Sequence, residues 1–365
     1  MTDPVTDTST STATTGGHDA ALLEVRDLRT HFATPRGVVK AVDGVSLEIT
    51  RGRTLGVVGE SGSGKSVLSR SMMRLLPRHN VISHGSVRFE GQELIGKKES
   101  ELREVWGPAM SMIFQDPMTS LNPVVKIGRQ ITEGLRHHLN MSSDEASETA
   151  LQLMKAVGIP EPARRLKEYP HQLSGGMRQR VMIAIALACG PKLLFADEPT
   201  TALDVTVQAQ ILNLLGDLQR DRDMAIVLVT HDLGVVANRT EEIAVMYAGR
   251  IVEKAPTRTL FADMKMPYTE ALMNSIPKIE YHSHTRLNTI PGRPPDLINP
   301  PKGCGFSPRC RYAQPRCHEE RPPLREGSQP DHQFACWYPV GTPEGADALA
   351  RNQAEGTAVT VGGAS

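Results

Sequence analysis

Eight residues constrain this chain more than any others. Gly59-Glu60-Ser61-Gly62-Ser63-Gly64-Lys65-Ser66 is a complete phosphate-binding loop pattern. A short apolar strand, Leu55-Gly56-Val57-Val58, runs into it, and a helical pattern from Ser66 to Leu76 leaves it, ended by Pro77. Strand, loop and helix in that order are the context the pattern requires. The glycines let successive backbone N–H groups wrap phosphates, and the helix N-terminus adds positive partial charge. In such a loop Lys65 reaches the β- and γ-phosphates and the Ser66 hydroxyl ligates Mg²⁺.

A second element completes the chemistry. Leu193-Leu194-Phe195-Ala196 is an apolar strand that delivers Asp197 and Glu198 to its C-terminal end, where ligands collect in parallel sheets. Asp197 is placed to hold Mg²⁺ through water, and Glu198 to orient or deprotonate an attacking water. Two adjacent acids alone are an ordinary solvated pair; beside the phosphate loop they read as a nucleotide hydrolase. Leu173-Ser174-Gly175-Gly176-Met177-Arg178-Gln179-Arg180 narrows this further. Ser174 and two glycines open a helix, which makes a second anion site at a helix N-terminus. One chain has no use for a second phosphate site, but two chains packed head to tail would each close the other's pocket.

At this segment the sequence resembles ABC transporter ATPases, whose signature it matches, and the other elements of that family follow in order. Gln115-Asp116-Pro117 resembles the loop that senses Mg²⁺ and touches membrane subunits. Ala202-Leu203-Asp204, after Pro199-Thr200-Thr201, resembles the loop that crosses to a partner ATPase. His231, after the strand Ile226 to Val229, resembles the histidine at the γ-phosphate. Phe32 resembles the aromatic that stacks on adenine. Three stretches are similar to the dipeptide and oligopeptide importers: Gln115 to Pro123, Pro267-Tyr268-Thr269-Glu270-Ala271-Leu272, and Gly303 to Cys310. Close relatives in that branch import nickel complexes or glycosides.

Strands alternating with helices imply an α/β fold built on a parallel sheet. The resemblance makes it an ABC-type ATPase core, with an antiparallel β-element on the N-terminal side (Leu22 to Phe32 and Val38 to Ile49) and a helical subdomain at about 116–184. The expected organisation is a disordered tail at 1–20, the ATPase domain at 21–263, a C-terminal region at 264–340 with a four-cysteine site, and a disordered tail at 341–365. Beyond about Lys265 the chain is Pro-rich, and something other than a large apolar core must hold it. The run Val181 to Cys189 reads as a buried helix, with Cys189 as inert core.

Four of the five cysteines, Cys304, Cys310, Cys317 and Cys336, fall within 33 residues. In a reducing compartment that crowding favours a metal over disulfides. The spacings are looser than the close pairs usual for structural zinc. Lys302, Arg309, Arg311 and Arg316 stand among the thiols and are expected to offset thiolate charge and keep the pKa values low. Similar regions in the peptide-importer branch imply a [4Fe–4S] cluster on the four cysteines; zinc, or plain buried thiols, remain the alternatives.

The net charge is zero, which gives no ground for nucleic acid as a partner. No stretch approaches the roughly 18 to 20 apolar residues that span a bilayer, and the Ser/Thr-rich start has no basic or apolar region of a signal peptide. The expected place is therefore the cytoplasmic face of the cell membrane. The resemblance implies ATP and Mg²⁺ as cofactors. It implies two transmembrane permease subunits, a second ATPase subunit (often a different chain) and an extracytoplasmic solute-binding protein as partners. A soluble ABC ATPase acting on DNA or ribosomes usually carries two ATPase halves or long coiled coils, and neither is present. A non-catalytic half would have lost Glu198 or His231.

Overall fold

The computed structural model describes residues 21–77, 79–200, 203–276 and 290–356; the side chain of Pro117 is also outside that description. The expected tail at 1–20, residues 357–365 of the expected tail at 341–365, and Thr201 and Ala202 lie outside the described residues.

β1 (Ala21–Thr34) and β2 (Gly37–Thr50) form a long antiparallel hairpin. Its turn is tied by the Thr34 hydroxyl donating to the Gly37 carbonyl at 2.7 Å. After β3 (Thr54–Val58) and α1 (Lys65–Met72) come β4 (Val81–Phe89) and β5 (Gln92–Glu93), which extend the hairpin into a sheet of order β2-β1-β4-β5. α2 (Glu99–Arg103) then leads to β6 (Met110–Ile113).

The next segment is helical: α3 (Pro117–Ser120), α4 (Ile127–His138), α5 (Ser143–Ala156), α6 (Pro162–Arg165) and α7 (Gly175–Leu187). In α4 the residues at fourfold spacing, Ile127, Ile131 and Leu135, are the buried ones, as an amphipathic helix requires. In α5 the cap is a capping box between Ser142 and Glu145.

Strands return with β7 (Leu193–Asp197), α8 (Val205–Arg222), β8 (Ala225–Thr230), α9 (Leu233–Ala237), β9 (Glu242–Tyr247) and β10 (Arg250–Pro256). They build the main sheet, of order β11-β12-β10-β9-β3-β8-β7-β6. β9, β3, β8, β7 and β6 are mutually parallel, and each of β3, β7 and β8 is buried along its whole length. Continuous apolar strands are what a sheet covered on both faces demands. Alternate residues feed two cores. Leu193, Phe195, Val227 and Val229 face the hairpin and α1 side, while Leu194, Ala196, Ile226 and Leu228 face the helical side.

The sheet is mixed rather than purely parallel. β10 runs antiparallel to β9, and β12 (Gln333–Phe334) and β11 (Arg325–Glu326) add further antiparallel pairs at that edge. After α10 (Thr257–Asp263), α11 (Pro267–Asn274) and α12 (Pro315–Glu319), the C-terminal segment therefore joins the main sheet. It also joins the main core. Phe306, Cys310, Tyr312, Phe334 and Cys336 pack in the same apolar cluster as Tyr247 and Tyr268. The expectation that this region does without a large core is thereby corrected: it borrows one.

A second correction concerns residues 341–365. Pro343–Ala354 form α13, opened by Thr342, whose hydroxyl accepts from Gly345 N at 3.2 Å. Small, polar composition hid it, because its buried residues are only Gly345, Ala348 and Asn352. Asn352 donates to the carbonyls of Arg311 and Ala313, both at 2.9 Å, and accepts from Gln314 Nε2 at 2.7 Å.

Candidate active site

The loop between β3 and α1 is shaped by its glycines. Gly59 and Gly64 hold φ of 155° and 107°. A Cβ on Gly59 would run into the Met246 carbonyl, and one on Gly64 into the Ala41 carbonyl. Glycine is therefore needed at both positions for close approach as well as for backbone angle. Lys65 is buried at the start of α1 and donates to the carbonyls of Gly59 at 2.7 Å and Glu60 at 3.0 Å. Burial lowers its pKa, opposed by the carboxylates of Glu198, Asp197 and Glu60.

Asp197 ends β7 fully buried. Its Oδ1 accepts from Ser66 Oγ at 2.9 Å, and its Oδ2 has no hydrogen-bond partner among the described residues. Burial pushes its pKa up, against the hydrogen bond from Ser66 and the charge of Arg70. An orphaned carboxylate oxygen beside a hydroxyl, at the mouth of a phosphate loop, suits a hard divalent cation such as Mg²⁺.

Glu198 follows in the left-handed region, with φ of 48°, a conformation that costs a non-glycine residue energy and concentrates at functional sites. Its backbone N–H is held by the Val229 carbonyl at 2.9 Å. Gln115 Nε2 donates to Glu198 Oε2 at 3.0 Å, and His231 Nδ1 lies 3.2 Å from Oε1. Side chains after β6, β7 and β8 thus converge at the same ends of neighbouring parallel strands. They can hold a Mg²⁺–nucleotide and orient a water at its last phosphate.

Ser174, Gly175 and Gly176 lie elsewhere. Ser174 caps α7, its hydroxyl accepting from Met177 N at 3.3 Å. No hydrogen bond among the described residues joins this helix start to the Gly59–Ser66 loop, and Gly175 has nothing within 4 Å of where a Cβ would stand. Asp204 caps α8, accepting from Val207 N at 3.0 Å. Phe32 is half-buried in β1, opposite Val39 and Val81. Ser61, Gly62 and Ser63 complete the loop.

Sequence reasoning missed several members of this neighbourhood. Gln179, wholly buried in α7, donates to the Pro199 carbonyl at 2.7 Å and so links the Ser174 helix to the residues after Glu198. Tyr268 and Arg309 both bind Glu60. Local patterns carry no signal for such contacts, because the partners stand 208 and 249 residues away.

Cys304, Cys310, Cys317 and Cys336 are free thiols that line one small cavity with Met266, Phe306, Tyr312 and Trp337. As the side chains stand, no group of three or more His, Cys, Asp or Glu among the described residues is disposed to hold a metal ion. The neighbouring cations do not keep the thiols low: Arg316 pulls Cys317 down and Arg321 pulls Cys304 down, but burial outweighs both. Arg309 pairs with Glu60, Arg311 with Glu270 at 2.6 Å, and Arg316 with Glu320 at 2.8 Å while stacking on Trp337. Burial pushes all four thiols up. Cys189 is half-buried and its thiol is likewise pushed up by burial.

Residues 42–201 match the ABC transporter family, and residues 252–317 match the oligopeptide/dipeptide transporter C-terminal region. The chain is 50% identical over 317 residues to the oligopeptide transport ATP-binding protein OppD of Bacillus subtilis, covering 87% of this chain and 88% of that protein. It is 49% identical over 317 residues to the dipeptide transport ATP-binding protein DppD of Lactococcus lactis, covering 87% and 90%. Among solved structures, the dimeric post-hydrolysis state of the ATP-binding cassette MJ0796 bound to ADP and Pi aligns with a TM-score of 0.60 at 28% identity, over 65% of this chain and 99% of that one. With its phosphate loop, acidic strand end and signature helix in place, the chain belongs to the ATP-hydrolysing subunits of ABC transporters, in the family of the oligopeptide and dipeptide transport ATP-binding proteins.

Proposed function

We propose that this ATPase powers the import of di- and oligopeptides from the cytoplasmic face of the cell membrane. The observation that carries the catalytic part is the meeting of Gln115, Glu198 and His231 beside the Ser66–Asp197 pair. Lys65 and the loop N–H groups bind the β- and γ-phosphates. Ser66 and Asp197 hold Mg²⁺, Asp197 through water, with Gln115 close to the same ion. Glu198 orients or deprotonates the attacking water, with His231 at the γ-phosphate and Phe32 on the adenine. Ser174, Gly175 and Gly176, together with Asp204, serve the nucleotide of a partner ATPase. The relatives named for oligopeptide and dipeptide transport support peptide as cargo.

The partners in this reading are two transmembrane permease subunits, a second ATPase and an extracytoplasmic solute-binding protein. No helix among the described residues is long and apolar enough to cross a membrane, so attachment falls to the permeases. The test is reconstitution in proteoliposomes with the neighbouring permeases, ATPase and binding protein. ATP-dependent uptake of labelled peptides supports the reading. Uptake of nickel complexes or glycosides, with none of peptides, overturns the cargo.

The four cysteines are proposed as ligands of a [4Fe–4S] cluster that fastens the C-terminal segment. Four cysteines around one small cavity support this reading, and their side chains would have to turn together to bind the cluster. Anaerobic purification after iron-replete expression should yield brown protein with roughly four iron and four sulfide per chain. Colourless protein with stoichiometric zinc would replace the cluster by a zinc staple.

A further inference from the structure

Glu60 puts a carboxylate into a loop that receives phosphates, and like charges repel. The structure disposes of that charge in a specific way. Arg309 Nη1 donates to Glu60 Oε2 at 2.7 Å and Nη2 to Oε1 at 2.8 Å, a two-pronged pair with the guanidinium side chain 3% exposed. The other donors of Arg309 are also placed. Nη1 reaches Tyr247 Oη at 3.2 Å, Nη2 the Ile290 carbonyl at 3.3 Å and Nε the Pro291 carbonyl at 2.8 Å. The guanidinium carbon sits 5.9 Å from the ring centres of both Tyr247 and Phe306.

The backbone of Glu60 is fixed from the same side. Its N–H donates to Tyr268 Oη at 2.8 Å, and Tyr268 is fully buried against Tyr247 and Phe306. Its carbonyl accepts from Lys65 Nζ at 3.0 Å. One residue of the loop is thus held at its carboxylate and its N–H by the C-terminal segment and at its carbonyl by Lys65. A paired, rigid guanidinium is suited to this because its planar fork fixes direction as well as charge.

We propose that Arg309 is a positioning residue for ATP. Acting through Glu60, it sets the backbone of the Gly59–Ser66 loop and turns a negative charge away from the incoming phosphates. The C-terminal segment is then part of the nucleotide site rather than an appendage to it. The proposal rests on Gly59–Ser66 being the loop that takes the ATP phosphates.

The experiment uses the purified full-length chain and measures the Kd for MgATP, with kcat measured in the assembled transporter. Four proteins are compared: wild type, Arg309→Lys, Arg309→Met, and Arg309→Met combined with Glu60→Gln. Loss of a buried charge-assisted pair should raise Kd roughly 10- to 100-fold in Arg309→Met. At saturating ATP, kcat should change several-fold less than Kd. Arg309→Lys keeps charge and volume but not the fork, and should fall between wild type and Arg309→Met. The double variant removes the unpaired carboxylate and should recover most of the lost affinity, which a merely structural role for Arg309 would not produce. Unchanged Kd in Arg309→Lys and in folded Arg309→Met overturns the proposal, as does a double variant no better than Arg309→Met. Should Arg309→Met not fold, Arg309→Lys alone decides, with wild-type Kd overturning the proposal. Failure of the wild type itself to bind MgATP would instead overturn the reading of the loop.

Discussion

Glu198 and His231 face each other across the ends of two neighbouring strands, with Nδ1 of the imidazole 3.2 Å from a carboxylate oxygen. Gln115 holds the other oxygen at 3.0 Å. Both carboxylate oxygens are therefore oriented by side chains of the chain itself. Glu198→Gln keeps the shape and loses the base. It should bind ATP with near wild-type affinity while turnover falls by about 10² to 10⁴. Nucleotide binding and phosphate release, measured on the same preparation, check both halves. Near wild-type hydrolysis would remove Glu198 from this role.

Gly175 stands in open space at the start of α7. Gly175→Asp should therefore fold normally and still bind ATP on the Lys65 side. It would, however, place a carboxylate where a partner's γ-phosphate approaches a helix N-terminus. ATP-driven pairing and hydrolysis in the assembled transporter should both be lost. Light scattering with and without ATP reads the pairing directly, and unchanged pairing would refute a shared site.

Asp43 ties β2 to β10. Its Oδ2 accepts from Arg250 Nη2 at 2.6 Å and Nε at 3.1 Å, and His31 Nε2 is 3.2 Å from Oδ1. Burial alone would raise its pKa, but Arg250 and His31 outweigh burial and hold it below the ordinary 3.8. A carboxylate depressed in the folded state stabilises above its unfolded pKa and loses that contribution as pH falls through its folded pKa. The gap in urea midpoint between wild type and Asp43→Asn should thus be constant above about pH 5 and close below about pH 4. A gap independent of pH down to the acid limit would show that charge at Asp43 contributes nothing.

Glu253 and His332 are both fully buried, with Oε1 and Nε2 2.9 Å apart. Glu253 also accepts from Lys265 N at 2.5 Å and Met266 N at 3.1 Å, at the entry to α11. Glu253→Ala would orphan three buried donors, for a loss of about 3 kcal/mol or more. Glu253→Gln retains an acceptor and should lose less. Equilibrium urea unfolding orders the two variants.

The site was legible where chemistry is local. The loop, the Asp197–Glu198 strand end and the Ser174 helix start each occupy a few consecutive residues with fixed spacing, so the sequence could name them. The approach of the loop to the strand end follows from the parallel sheet that the alternation of strands and helices implies, whereas the Ser174 helix start stays apart from both. The C-terminal segment was less legible. Its apolar residues are sparse and show no period, because they complete a core built by Tyr247 and Tyr268 rather than forming one. Helix α13 shows the same limit, since it docks through Gly345, Ala348 and Asn352 alone among its buried residues. The arginines among the cysteines misled for a related reason. Nearness in sequence suggested that they face the thiols, whereas Arg309 and Arg311 reach carboxylates at positions 60 and 270.

The span of 249 residues between Glu60 and Arg309 also sets an order in time. A ribosome adding about 5–20 residues per second needs roughly 10–50 s to travel from one to the other. Throughout that interval the phosphate loop exists in the nascent chain with its carboxylate lacking the guanidinium that will hold it. A transcript that ends between residues 66 and 309 leaves it in that condition permanently, even though every residue of the loop itself has been made.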